Sequence, residues 1–141
     1  MEKLVIPSRL TPEFINSNKN ILFIYGSSIA GNDFSGQGKA CRDPRVHKLF
    51  NNVCGIPTRM SSCPKMSDAN FFSDSLFSSL VSAVDQSVSI IKLRMETERF
   101  DGLVIFPNIG LGCSSLDVRA PKLYKYIRSK LDELKTTYKV F

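Results

Sequence analysis

The sequence predicts a single compact α/β domain in which a mostly parallel or mixed sheet is flanked by helices. Two segments, residues 20–25 with an unbroken apolar run from Ile21 and residues 103–106, have the length of strands that are buried on both faces. Two longer segments, residues 75–99 and the chain after Pro121, repeat apolar side chains at helical spacing. Strands that alternate with helices are typical of α/β layer folds.

The chain begins with a segment that we expect to pack on the domain as an extension. Residues 1–19 contain Pro7 and Pro12, which interrupt any long element, so the domain itself is assigned to residues 20–141. A chain of 141 residues can bury a core without disulfides or a metal. Four dispersed cysteines and a single histidine form no zinc-binding pattern, so we expect reduced thiols, no metal and no cofactor.

The middle of the chain predicts a short helix and a short strand. Residues 39–52 are assigned to one helix that ends near Asn51 and Asn52. Residues 53–59 form the strand, and Pro57 indicates an edge or terminal position in the sheet, because proline cannot donate to a strand ladder.

The second half predicts the two longest helices. Residues 75–99 form one of them, with Ser73 or Asp74 as its cap. Its apolar stripe consists of Leu76, Leu80, Val84, Val88, Ile91 and Met95. Pro121 fits the first turn of the last helix. The core-facing side of that helix consists of Leu123, Tyr124, Ile127, Leu131 and Leu134.

Six of the eight glycines lie in two loops, residues 26–39 and 107–115, and each loop follows one of the buried strands. Glycine permits positive φ and close approach of a ligand to the backbone, so such loops can bind anions. Parallel strands end at the same edge of a sheet, where α/β proteins bind ligands. Pro121 places a helix N-terminus near that edge. The two loops therefore predict a phosphate-bearing ligand.

The residues expected to bind it come from both loops and from the strand between them. Ser27 and Ser28 form one wall with the neighbouring glycines, residues 110–114 form a backbone clamp, and Lys39 and Arg42 supply positive charge. The full predicted ligand set is Gly26, Ser27, Ser28, Gly31, Asn32, Gly38, Lys39, Arg42, Thr58, Arg59, Asn108, Gly110, Leu111, Gly112, Cys113 and Ser114. The loops match neither a P-loop, since Ala40 follows Lys39, nor a dinucleotide fingerprint.

Several segments match short motifs of a known fold. Leu103-Val-Ile-Phe-Pro-Asn-Ile-Gly-Leu-Gly-Cys-Ser and Ala120-Pro-Lys-Leu-Tyr resemble the strand, phosphate loop and helix of macrodomains, the ADP-ribose-binding module. Ile24-Tyr-Gly-Ser-Ser-Ile-Ala-Gly-Asn, Gly55-Ile-Pro-Thr-Arg and Phe71-Phe-Ser-Asp resemble a small, mostly uncharacterised family of phage and bacterial proteins. The resemblance implies a macrodomain-like protein that binds ADP-ribose or a related nucleotide, cyclic ones included. It implies a phage or bacterial anti-defence factor in NAD-derived signalling or ADP-ribosylation conflict.

Two alternatives accompany this interpretation. The first is an ADP-ribosyl glycosidase or hydrolase with Lys39, Asp33 and Asn32 as candidate catalytic residues, because some macrodomain-like glycosidases use a lysine with an acidic partner. The long glycine run and paired asparagines of typical macrodomain hydrolases are absent, which favours binding without turnover. The second is a basic protein that associates with nucleic acid, in line with a net charge of +6.

The sequence also leads to expectations about location. No apolar run approaches the roughly 18 residues of a membrane span, and the N-terminus lacks the order of a signal peptide. We therefore expect a cytoplasmic protein without a membrane partner, located in the bacterial host if a phage encodes it.

Overall fold

A three-stranded parallel sheet forms the centre of the protein. The structure, a computed structural model, describes residues 4–29, 36–60, 72–111 and 114–141. The strands are β1 (Ile21–Ser28), β2 (Val53–Arg59) and β3 (Gly102–Ile105), in the order β2-β1-β3. The edge position predicted from Pro57 is confirmed. β1 is longer than predicted because β2 continues to pair with it as far as Ser28.

In the described ranges, five helices accompany the sheet. They are α1 (Pro12–Ser17), α2 (Gly36–Ala40), α3 (Phe77–Thr97), α4 (Leu116–Arg119) and α5 (Pro121–Thr137). A 3-10 turn, Asp74–Leu76, precedes α3. α2 contacts β1, whereas α3 contacts both β2 and α5. The chain is thus a small single-domain α/β protein with a parallel sheet flanked by helices, as predicted.

The apolar sides of α3 and α5 supply much of the core. Leu80, Val84, Val88 and Ile91 of α3 are buried, and so are the four predicted aliphatic side chains of α5. Leu76 is 52% exposed and does not belong to the stripe, because the 3-10 turn ends there and α3 begins at Phe77, two residues later than predicted.

The chain does contain one segment with the length and composition of a membrane span. The 24 residues Asp74–Thr97 include an 18-residue window of mean hydropathy 1.3. The sequence expectation concerned continuous apolar runs, whereas this window passes on its average hydropathy although serines and charged residues interrupt it. Serines lower the hydropathy little, so the aliphatic residues of α3 dominate its average. Leu80, Val84, Val88 and Ile91 pack into the core of the domain, whereas Ile90 and Leu93 are exposed, and 22% of the window is buried.

The single helix predicted over residues 39–52 is not formed. α2 ends at Ala40, and the chain then folds back as the 41–50 hairpin, in which Asp43 N–H donates to Lys48 O at 2.9 Å and Phe50 N–H to Cys41 O at 3.0 Å. Pro44 cannot continue a helix, and His47 has a φ of 58° that reverses the chain. Hydrogen bonds across this turn therefore replace those of a helix.

α1 and the last residues of the chain both pack on the sheet. Ile15 of α1 is fully buried, and the buried Asn52 side chain donates to the carbonyl oxygens of Ile15 and Asn18 at 2.9 and 3.0 Å. At the other end, Leu103 N–H donates to Lys139 O at 2.8 Å, so the last residues lie along β3. A side chain on Gly102 would lie 2.7 Å from Lys139 O, which explains glycine there.

Arg94 attaches the end of α3 to the beginning of β2. Its guanidinium donates to Val53 O at 2.6 Å, to Asn51 O, and to the Glu98 carboxylate at 2.7 Å. Hydrogen bonds from Arg94 hold the pKa of Glu98 below its ordinary value. A second contact joins α3 to α5, where the Tyr126 hydroxyl donates to Asp85 and its pKa is raised by that bond.

Candidate functional site at the carboxyl edge of the sheet

Buried polar side chains gather where the parallel strands end. Thr58 and Arg59 are the last residues of β2, and Ser114 lies just before α4. These three residues, here called the Arg59 cluster, are 1%, 7% and 3% exposed. Ser28, the last residue of β1, is also buried and is in register with Arg59. A guanidinium so far removed from water needs polar or anionic partners.

Hydrogen bonds fix the orientation of this arginine. Arg59 Nη1 donates to Thr58 Oγ1 at 3.2 Å and to Ser114 Oγ at 3.1 Å, and the two hydroxyl oxygens are 3.0 Å apart. Thr58 Oγ1 donates its single proton to Ser27 O at 3.2 Å, so Ser114 is the donor in the hydroxyl pair. The cluster thereby joins the ends of β1 and β2 to the second glycine loop.

Gln37 of α2 connects the two glycine loops. Gly26 N–H donates to Gln37 Oε1 at 2.7 Å, and Gln37 Nε2 donates to Pro107 O at 3.0 Å. β3 ends at Ile105, so Gly26 of β1 has no strand residue of β3 opposite it. The side-chain amide of Gln37 accepts the hydrogen bond that a longer β3 would accept. Gln37 is not among the residues predicted from the sequence, although its position between Gly36 and Gly38 in the first glycine loop could have marked it as a site residue.

Gly26 therefore has a packing role at this edge. Its N–H is bound to Gln37, and a side chain on it would lie 3.3 Å from Gln37 Oε1 and 3.5 Å from the Thr58 side chain. Absence of a side chain lets β1, β2 and α2 approach one another closely. The N–H of Gly26 is thus engaged by Gln37, and the place of Gly26 in a ligand-binding wall stays a prediction.

The second glycine loop is a turn with its own hydrogen bonds. Asn108 and Gly110 have φ values of 63° and 86°, Leu111 N–H donates to Asn108 O at 3.0 Å, and Leu116 N–H donates to Gly110 O at 2.8 Å. A side chain on Gly110 would lie 3.0 Å from Leu116. The turn sets the path that brings Ser114 to Arg59.

The N-terminus of α5 is occupied by a carboxylate of the chain itself. Asp74 accepts hydrogen bonds from Lys122 N–H at 3.1 Å and Leu123 N–H at 3.2 Å. Ser73 or Asp74 was expected to cap α3, but α3 begins after Leu76, and Asp74 instead caps α5. Since this carboxylate already satisfies the first free N–H groups of α5, an incoming ligand would not bind there.

Lys39 and Arg42 lie apart from the Arg59 cluster. Lys39 is exposed and Arg42 Nη1 donates to His47 O at 2.8 Å. Both line a groove of about 440 Å³ beside α2, here called the α2 groove, whereas the neighbouring Gly38 is buried in α2. The predicted ligand set thus falls into two groups. Five predicted residues lie outside those that the structure describes: Gly31, Asn32, Asp33, Gly112 and Cys113.

The chemistry of the Arg59 cluster suits an anion. A guanidinium binds phosphate or carboxylate oxygens in two parallel hydrogen bonds, and its preset orientation lowers the entropy lost on binding. Within the described ranges, no three His, Cys, Asp or Glu side chains come together as metal ligands would.

Most of the chain, including this edge of the sheet, matches one protein family. Residues 5–130 match a family described as "Family of unknown function (DUF7831)". The chain belongs to this family. Searches of curated proteins and of solved structures found no match. The family match includes all three strands, Gln37, the Arg59 cluster and the α2 groove, so the arrangement described above lies within the family's domain.

Proposed function

We propose that the protein binds ADP-ribose or a related nucleotide, cyclic ones included, at the carboxyl edge of the sheet. The observation that carries the proposal is the buried Arg59 guanidinium, held by two hydroxyls at the edge where parallel sheets bind ligands. Arg59 is assigned to a phosphate of the ligand. The macrodomain-like motifs of the sequence supply the nucleotide class.

The observed contacts divide the predicted ligand residues into those that hold the fold and those that we assign to the ligand. Gly26 and Gly110 are assigned to packing and turn formation, and Thr58 and Ser114 to positioning Arg59. Ser27, Ser28, Asn108 and Leu111 remain assigned to the ligand, together with Gly31, Asn32, Gly112 and Cys113, which lie outside the described ranges. Side chains, more than the backbone of the described loops, then supply the contacts to the ligand.

The proposed role is sequestration in the cytoplasm of a bacterial cell, as a phage or bacterial factor in NAD-derived signalling or ADP-ribosylation conflict. Hydrolysis is the alternative, with Lys39, Asp33 and Asn32 as its candidate residues. Lys39 lies in the α2 groove, apart from the Arg59 cluster. We therefore expect the ligand to be recovered intact after heat denaturation of the complex, as measured by mass spectrometry. Multiple turnovers that vanish in Lys39→Ala would establish the hydrolase.

A thermal-shift screen tests the proposal with ADP-ribose, cyclic ADP-ribose isomers, NAD and cyclic dinucleotides. A ligand at a hundred times its Kd adds about 2.7 kcal/mol to stability, which raises Tm by about 5–10 °C for a domain of this size. The rise should be lost in Arg59→Gln when each variant is compared with its own unliganded Tm.

Arg99→Gln is the matched control, because Arg99 is exposed and lies close to the amino end of β3, at the opposite edge of the sheet. It should keep the full rise in Tm. No shift with any of these nucleotides at millimolar concentration would refute small-ligand binding. The nucleic-acid alternative would then be tested by anisotropy of labelled oligonucleotides at two salt concentrations.

A further inference from the structure

The α2 groove combines apolar walls with positive charge. Its volume is about 440 Å³, and its lining residues are Pro12, Lys39, Arg42, Pro44 and His47. None of them belongs to the Arg59 cluster, and none takes part in the Gln37 hydrogen bonds. The groove is therefore a feature distinct from the carboxyl edge. Its volume falls within the range of about 300–1,000 Å³ that is usual for small-molecule sites.

Hydrogen bonds hold the walls of the groove in place. Arg42 Nη1 donates to His47 O, and backbone bonds cross the 41–50 hairpin on both sides of that contact. On the opposite wall, the Thr11 hydroxyl accepts from Phe14 N–H at 3.2 Å and caps α1, which fixes Pro12 at the first turn. The groove is thus formed before any ligand arrives, which reduces the entropy cost of binding.

Within the described residues, one cation of the groove, Lys39, has no charged partner. The Lys39 ammonium makes no hydrogen bond or ion pair with the part of the chain that the structure describes. The nearby carboxylate of Asp43 is engaged by Arg45, whose guanidinium donates to both of its oxygens at 3.2 and 3.0 Å. Those bonds hold the pKa of Asp43 below its ordinary value. Among the described residues that line the groove there is no carboxylate.

We propose that the α2 groove binds a small organic anion that carries an aromatic ring, with the ring against Pro12 and Pro44 and the anionic group at Lys39 and Arg42. The two proline rings offer apolar surface, and a lysine with an arginine offers a point charge beside a planar donor. A simple inorganic ion would leave the apolar walls unused, and a neutral aromatic would leave the Lys39 charge unused.

The single histidine of the chain provides the assay. Its ring protons give one resolved pair of NMR signals from a wall of the groove. Phenyl phosphate should shift them along a saturable curve. Inorganic phosphate should bind at least about tenfold more weakly, and benzyl alcohol should give no saturable shift. Equal affinity for phenyl phosphate and inorganic phosphate, or no saturation with phenyl phosphate, would overturn the proposal.

Variants locate the site and separate it from the carboxyl edge. Lys39→Gln should weaken phenyl phosphate about tenfold. Lys48→Gln is the matched control, because Lys48 lies in the same hairpin but lines a different cavity, and it should bind as the unaltered protein does. Arg59→Gln should leave the shift of the His47 signals with phenyl phosphate unchanged, whether or not the carboxyl edge binds a nucleotide. An unchanged affinity in Lys39→Gln would refute the assignment.

Discussion

Replacing Asp74 by alanine should destabilise the whole domain, although the residue lies in a short turn. Its carboxylate caps the first turn of α5 from a position 48 and 49 residues earlier in the chain. Loss of a helix cap costs about 1 kcal/mol in typical cases, and loss of a negative charge at a helix N-terminus adds about 0.3–1 kcal/mol. We expect Asp74→Ala to lower the free energy of unfolding by about 2 kcal/mol.

Urea unfolding followed by circular dichroism measures this change as a lower midpoint at unchanged slope. Asp117→Ala is the control, because Asp117 is exposed in the short α4 and should change stability by less than about 0.5 kcal/mol. Asp74→Asn keeps one acceptor oxygen without the charge, so its effect should lie between the two. If Asp74→Ala and Asp117→Ala unfolded at the same urea concentration, the capping of α5 by Asp74 would be refuted.

Three further substitutions test contacts that hold the fold. Gly110→Ala should lower the free energy of unfolding by about 1–3 kcal/mol, because φ is positive there and Leu116 leaves little space for a side chain. An undiminished Tm would contradict this. Arg94→Met should lower the free energy of unfolding in urea by about 2–3 kcal/mol, since the carbonyls of Val53 and Asn51 lose a charged donor. A decrease below about 0.5 kcal/mol, the size usual for surface substitutions, would contradict that role. Tyr126 has a raised pKa in the folded state, so its bond to Asp85 stabilises the protein below about pH 10 and is lost as pH rises through the folded pKa. Tyr126→Phe should therefore remove part of the alkaline loss of stability, whereas parallel pH profiles would exclude this origin.

The elements that the sequence predicts correctly are those with strong local patterns. β1 and β3 are continuous apolar runs, and α5 begins at Pro121 with aliphatic residues at helical spacing. The error over residues 39–52 has a different origin, because the hairpin there depends on hydrogen bonds across the turn that no periodicity encodes. Propensity is a weak guide wherever such contacts decide the structure.

The candidate site is less accessible to sequence reasoning than the fold. Arg59 and Ser114 are predicted ligand residues that the structure brings together across a separation of 55 residues. Gln37 reaches Pro107 across 70 residues, and Asp74 caps a helix that begins far along the chain. A glycine pattern marks where backbones approach closely, but the same pattern cannot tell whether a ligand or another side chain fills the space. Gly26 illustrates this ambiguity, since Gln37 fills its space.

Calorimetric titration with ADP-ribose tests the central claim most directly. The account predicts saturable binding at one site per chain in the unaltered protein and in Arg99→Gln. It predicts affinity at least about tenfold weaker in Arg59→Gln, because a buried charged donor to phosphate is removed. Equal affinity in Arg59→Gln would contradict the assignment of Arg59 to the phosphate, and absence of binding in the unaltered protein would contradict ADP-ribose itself as a ligand.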